Sequence, residues 1–209
     1  GLFIERAMVR ANDKLSVLSA EAPINQPMLT DGSAFFQLQE EMRNAFETTV
    51  LDLPRQMLVQ HPHLVHDAHV CIVVVEFTLA ATRDAIRILS WLKANAPQAR
   101  VVVVANNTAP AGVQEITRKD FEKSIERKVD IIVPLDLKSA PQAAKLGQPL
   151  AKAASSAKIA QPLGQLVTLT VSAVDGGDDK GDSTETGSSL LGKLGNFKAL
   201  VAKKPAKAA

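Results

Sequence analysis

Two apolar runs, Val70-Cys71-Ile72-Val73-Val74-Val75 and Val101-Val102-Val103-Val104-Ala105, constrain the fold more than anything else in the chain. Each has the length of one strand, and neither alternates with polar residues. A strand of that composition is at home where both of its faces are covered, as in a parallel sheet. Between the runs lies a segment of helical period, about 79–95, opened by Thr78 and stopped by Pro97. Its inward positions are Ala85, Ile86, Leu89 and Leu92. Strand, helix and strand at this spacing predict a right-handed crossover, and so an α/β fold.

The remaining pattern extends the same plan. Residues 1–13 give a short helix-like piece and Lys14 to Ser19 alternates toward a strand. Pro23, Pro27, Asp31 and Gly32 mark a loop. Ser33 is the expected cap of a helix over about 34–47, with Phe35, Leu38, Met42 and Phe46 along one face. Thr48-Thr49-Val50-Leu51-Asp52 predicts a strand, and from residue 56 the pattern turns helical until Pro62 interrupts it. Thr117 opens a polar helix with Phe121 and Ile125 facing inward. Val129 to Val133 predicts the next strand, closed by Pro134-Leu135-Asp136, and a short helix ends at Gly147. Residues 156–174 carry both helical spacing and strand propensity, and helix is favoured. The expected core is a mostly parallel, doubly wound sheet whose strand ends, Asp52, Glu76, Asn106 and Pro134, share one rim.

Composition then bounds the function classes. With 209 residues and 46% hydrophobic content the chain can bury one good core. A formal net charge of +2 makes no electrostatic case for nucleic-acid binding. The single cysteine, Cys71, cannot form an internal disulfide, which suggests a cytosolic compartment. No apolar run is long enough for a membrane span and no secretory signal opens the chain. The first residue is Gly1 rather than Met, so an upstream part is expected. Residues 1–174 form the expected domain. Residues 175–189 hold five acids against one lysine, net −4, without apolar periodicity, and are expected as a disordered linker. Residues 190–209 carry five lysines and no acid. Leu190, Leu191, Leu194, Phe197 and Val201 there fall on one helical face, the pattern of a small basic amphipathic helix, and sequence leaves open both docking on a partner or an anionic membrane surface and a disordered solubilising terminus.

Chemistry-bearing residues are few. Asp52 sits where α/β sheets place ligands. It can hold a metal-bound water, or it can accept backbone N–H bonds at a strand end, and local sequence leaves both open. Asn106 can present one donor and one acceptor to a purine edge, or it can bond its own backbone as a turn residue. His61, His63, His66 and His69 are spaced unlike the common zinc patterns, and a partly solvated cluster is expected. No G-x-x-x-x-G-K-[ST] loop is present to cradle phosphates, no G-x-G-x-x-G follows a strand, and no nucleophile elbow supports hydrolysis.

Several segments taken together carry a resemblance: "ERAMVRANDKLSVLSAEAP", "TTVLDLPR", "VCIVVVEFTLAATRDAIRIL", "RVVVVANN", "TRKDFEKSIERKVDIIVPLD" and "AAKLGQPLAKAASSAKIAQPL". In order and spacing they resemble the C-terminal part of CpaE/TadZ-type pilus assembly proteins, of the MinD/ParA family of deviant P-loop ATPases. The resemblance covers about residues 1–170. It implies ATP and Mg as cofactors, with Asp52 beside the nucleotide's magnesium and 53–66 as the switch that follows. It implies adenine recognition by Asn106, with Pro134-Leu135-Asp136 along the base. It also implies that a first strand, with the phosphate loop, precedes this chain. The expectation is therefore of weak or no ATP binding by these residues alone, and of unpaired apolar strand edges.

The implied role is a cytoplasmic spatial organiser, an ATP-controlled homodimer that localises the Tad/Flp pilus machinery, including its secretion ATPase, at a cell pole. Residues 190–209 would touch the inner membrane face or the assembly ATPase. A ParA/MinD-type ATPase of DNA partition or cell-division placement is the alternative, and no specific nucleic-acid partner is expected.

Overall fold

The computed structural model describes residues 2–19, 23–25, 30–110, 112–155 and 157–175. The expected linker and tail, from residue 176 onward, lie outside the described residues. The chain divides into two compact units, Gly1–Asp67 and Ala68–Ala209.

In the first unit, helix α1 (Leu2–Ala7) leads into an antiparallel hairpin of β1 (Val9–Asn12) and β2 (Leu15–Val17). Helix α2 (Gly32–Ala45) is capped by Asp31 rather than Ser33: Asp31 Oδ1 accepts from the Ser33 amide at 2.8 Å and its hydroxyl at 2.7 Å. The carboxylate is the charged acceptor, so it wins the capping position and Ser33 moves inside the helix. These bonds hold the Asp31 carboxyl below the ordinary range, the Ser33 hydroxyl contributing most. Helix α3 (Arg55–Gln60) stops before a 3-10 turn, Pro62–Val65, with Pro62 at its start. Met42, His61, Leu64 and Val65 are buried between these helices and the turn.

The strand predicted over Thr48–Asp52 does not form. Residues 46–54 carry neither helix nor ladder, and Val50 is 86% exposed. Propensity alone cannot hold a strand without a neighbour to complete its hydrogen bonds, and none pairs with it among the described residues.

The second unit is the α/β sheet. Strands β3 (Val70–Val75), β4 (Arg100–Thr108) and β5 (Ile131–Pro134) are all parallel, in the order β3-β4-β5. Helix α4 (Leu79–Asn95) makes the first crossover and is capped, as predicted, by Thr78, whose Oγ1 accepts from the Ala81 amide at 3.1 Å. Helix α5 (Arg118–Ser124) makes the second, capped by Thr117. Helices α6 (Ser139–Lys145), α7 (Leu150–Ala153) and α8 (Ala160–Asp175) follow, and Gly147 takes the predicted left-handed φ of 58°. The ambiguous stretch is helix because Ile159, Leu166 and Leu169 meet the sheet at helical spacing, which overrides strand propensity.

The sheet is covered unevenly. Val102, Val104, Ile131 and Val133 share one face and form a core with Ala154 and Ile159, joined by Leu166 and Leu169 of α8. Val73, Val75, Val103 and Ala105 are buried on the other face. On β3, however, Ile72 and Val74 are 41% and 63% exposed. The run that predicted a strand covered on both faces is covered on one, because α7 and α8 pack on Val102, Val104, Ile131 and Val133 of β4 and β5 and leave Ile72 and Val74 uncovered. No strand pairs with the outer side of β3 among the described residues. No helix among the described residues is long and apolar enough to cross a membrane.

Candidate functional site

Parallel strands bring their carboxyl ends to one edge, and in open α/β sheets that edge is where ligands bind. Here the edge is made by Glu76 after β3, Asn106 to Thr108 at the end of β4, and Pro134 at the end of β5.

The ladder between β4 and β5 is irregular at this point. Pairing runs Val104↔Ile131 and Ala105↔Ile132, then resumes at Thr108↔Pro134. Three steps on β4 oppose two on β5, so one residue of the Asn106-Asn107 pair is left over as a bulge. Thr108 closes it: its Oγ1 donates to the Val133 carbonyl at 3.2 Å, and its own carbonyl accepts from the Leu135 amide at 3.1 Å. Asn106 is half-buried, and its carboxamide takes part in no hydrogen bond with any described residue. Of the two readings left open by sequence, the turn residue bonded to its own backbone is not what forms.

Next to it, Asp136 Oδ1 accepts from the amides of Ser139 at 2.6 Å and Lys138 at 2.8 Å. The Ser139 amide, then the Ser139 hydroxyl and the Lys138 amide, hold its carboxyl below the ordinary range. One oxygen of Asp136 is thus engaged in turning the chain from β5 into α6, which gives the 134–139 loop a fixed shape. Pro134 is half-buried at the start of that loop and has no amide hydrogen to compete for a ligand acceptor. Asn106, Pro134 and Asp136 are therefore brought to neighbouring strand ends of one edge.

A feature that sequence reasoning missed lies beside the same edge. Phe77, Thr108, Gln114, Thr117, Lys119 and Ile132 line a cavity of about 400 Å³. Its floor is apolar, with Phe77 set edge-to-face on the fully buried Phe121 at 5.4 Å. Gly112, which adopts φ 90°, lines the cavity as well. Sequence spacing alone does not bring Lys119 and Ile132 to one cavity.

Asp52 belongs to the first unit. It is exposed in the irregular stretch before α3 and makes no hydrogen bond with a described residue. It is not at the end of a strand, which removes the argument from strand position that singled it out. The histidine run divides. His61 is 8% exposed, with Nε2 2.8 Å from Thr30 Oγ1 and its ring edge-to-face on Phe35. His63 packs on Phe36, and its buried Nε2 has no partner. His66 and His69 are exposed, His66 Nδ1 lying 2.8 Å from Asp67 Oδ1. No three His, Cys, Asp or Glu side chains converge as a metal site among the described residues.

No protein-family model matches the chain, and no curated protein sequence does. Solved structures do. A ParA family ATPase from Chlorobium tepidum TLS superposes with a TM-score of 0.67 at 16% identity, over 78% of this chain and 66% of that one. The MinD cell division protein of Aquifex aeolicus superposes with a TM-score of 0.55 at 17% identity, over 77% of this chain and 65% of that one. The chain thus spans just under two thirds of the length of the structures it matches. The fold is α/β with a parallel sheet, similar to that of ParA/MinD-type P-loop NTPases.

Proposed function

We propose that this protein is a ParA/MinD-type spatial organiser controlled by an adenine nucleotide, and specifically the CpaE/TadZ-type organiser of a Tad/Flp pilus machine. The observation that carries the nucleotide reading is Asn106, half-buried on the carboxyl edge beside the preformed 134–139 loop, its carboxamide without a hydrogen-bond partner among the described residues. An amide offering one donor and one acceptor matches the edge of adenine. The likeness of fold to ParA and MinD supports the same placement.

The residues present fit the base and not the phosphates. No phosphate loop occurs in these 209 residues, and an exposed Asp52 with no converging ligands among the described residues makes no magnesium site by itself. We therefore assign this chain the base-binding end of the nucleotide site and derive no hydrolytic step from it. Titration with a fluorescent adenine nucleotide tests the assignment. Weak binding that Asn106→Ala abolishes is expected, whereas binding unchanged by that substitution would remove Asn106 from the site.

The pilus role rests on the sequence resemblance. In cells, the protein should form a focus together with the secretion ATPase of the pilus machine, and deletion of residues 190–209 should disperse it. Foci indifferent to that deletion would rule out a targeting role for the tail. The second reading, DNA partition or division-site placement, is favoured by the ParA and MinD likenesses. Its signature would be a nucleoid or mid-cell distribution independent of pilus genes.

A further inference from the structure

We propose that Thr108 is a specificity-positioning residue, holding the β4 bulge that turns the Asn106 carboxamide toward a purine base. The proposal rests on the base-binding reading above. It begins from side-chain alternation. Val102 and Val104 point into the apolar core formed with Ile131, Val133, Ala154 and Ile159. An unbroken β4 would carry position 106 onto that same face, two residues further along. There the Asn106 amide would meet valine and isoleucine side chains and lose its water without gaining a partner, an unfavourable exchange.

The surplus residue of the Asn106-Asn107 pair breaks the alternation between Ala105 and Thr108. A bulge bends its strand and re-aims the side chain beside it. Asn106 is half-exposed, and its amide has no hydrogen-bond partner among the described residues. The bulge needs something to close it, because its residues have left the ladder. Thr108 supplies both closing bonds, from Oγ1 to the Val133 carbonyl and from the Leu135 amide to its own carbonyl. The second of these reaches the first residue after Pro134, so the β4 bulge and the 134–139 loop are tied at one residue. Thr108 touches no base in this arrangement. It sets the distance between Asn106 and the loop, and so the discrimination between adenine and guanine edges.

The test uses the full chain and three variants, Thr108→Val, Thr108→Ser and Asn106→Ala, with a fluorescent adenine nucleotide competed by unlabelled adenine and guanine nucleotides. Two-dimensional NMR of the Asn106 side-chain amide and hydrogen exchange of the Leu135 amide are followed in parallel. Thr108→Val keeps the shape and removes the hydroxyl. It should lower the adenine-over-guanine preference about fivefold to tenfold, move the Asn106 side-chain signals and speed Leu135 exchange. Thr108→Ser should retain the preference, with an unchanged melting temperature in both variants excluding general unfolding. A Thr108→Val protein with wild-type preference, or with Asn106 and Leu135 signals unmoved, would overturn the proposal while leaving nucleotide binding intact. If the wild-type chain binds no adenine nucleotide, the base-binding reading itself fails and the proposal falls with it. Asn106→Ala separates the two, since it abolishes binding only if the reading is correct.

Discussion

Replacing Glu122 with Gln should destabilise the protein by a definite amount that depends on pH. Glu122 is 8% exposed in α5. Its Oε1 accepts from Arg118 Nε at 2.8 Å and the Val129 amide at 3.1 Å, and its Oε2 accepts from Lys128 Nζ at 3.0 Å. Arg118 also donates to the Val129 carbonyl at 3.3 Å, so one carboxylate ties α5 to the approach to β5. Burial raises the Glu122 carboxyl, but the Arg118, Val129 and Lys128 donors together outweigh it and hold the group at about 2, against an ordinary 4.5. A folded value below the unfolded one means the stabilisation is present above the unfolded value and is lost as pH falls toward the folded one. The window is therefore about pH 4.5 down to about pH 2.

At about 1.4 kcal/mol per unit, a shift from 4.5 to about 2 corresponds to roughly 3 kcal/mol. The Lys128 side chain is 86% exposed and that of Arg118 50%, so solvent and salt screen much of this. About 1 to 2 kcal/mol is the expected cost of Glu122→Gln at pH 7. Urea unfolding followed by the single tryptophan, Trp91 in α4 of the same unit, measures it. The gap between wild type and variant should hold steady from pH 8 to pH 5 and narrow below. A variant as stable as wild type at pH 7 would refute the reasoning. So would a gap that stays constant down to pH 3.5, since the ionised carboxylate would not be its source.

Phe121, fully buried against Phe77, should cost about 3 to 5 kcal/mol when truncated to Ala, read as a lower urea midpoint. Thr78→Ala should remove the α4 cap at about 1 kcal/mol, with Thr78→Ser close to wild type in the same assay. Gly147→Ala places a side chain at φ 58° and should cost about 1 kcal/mol, seen as a lowered melting temperature. Burial pushes the Cys71 thiol up, so reaction with an aromatic disulfide reagent at pH 8 should run measurably slower than in urea.

The parallel core, its crossover helices and their caps were determined by local sequence. Val70–Val75 and Val101–Ala105 are too apolar to be anything but strands beside other strands, and Thr78 and Thr117 supply hydroxyl acceptors directly before helical periods. Gly147 marked a left-handed turn for the same local reason. Tertiary structure decided everything that depends on a neighbour. Thr48–Asp52 has strand propensity, yet no partner completes its ladder among the described residues, so Asp52 is not at a strand end. Ile72 and Val74 carry the same signal as Val102 and Val104, and only the placement of α7 and α8 over β4 and β5 leaves them exposed. Asn106 could be named from its position after an apolar run. The surplus residue beside it in the β4–β5 ladder could not. That surplus is a relation between strands 27 residues apart, Ala105 and Ile132, and no single segment encodes it.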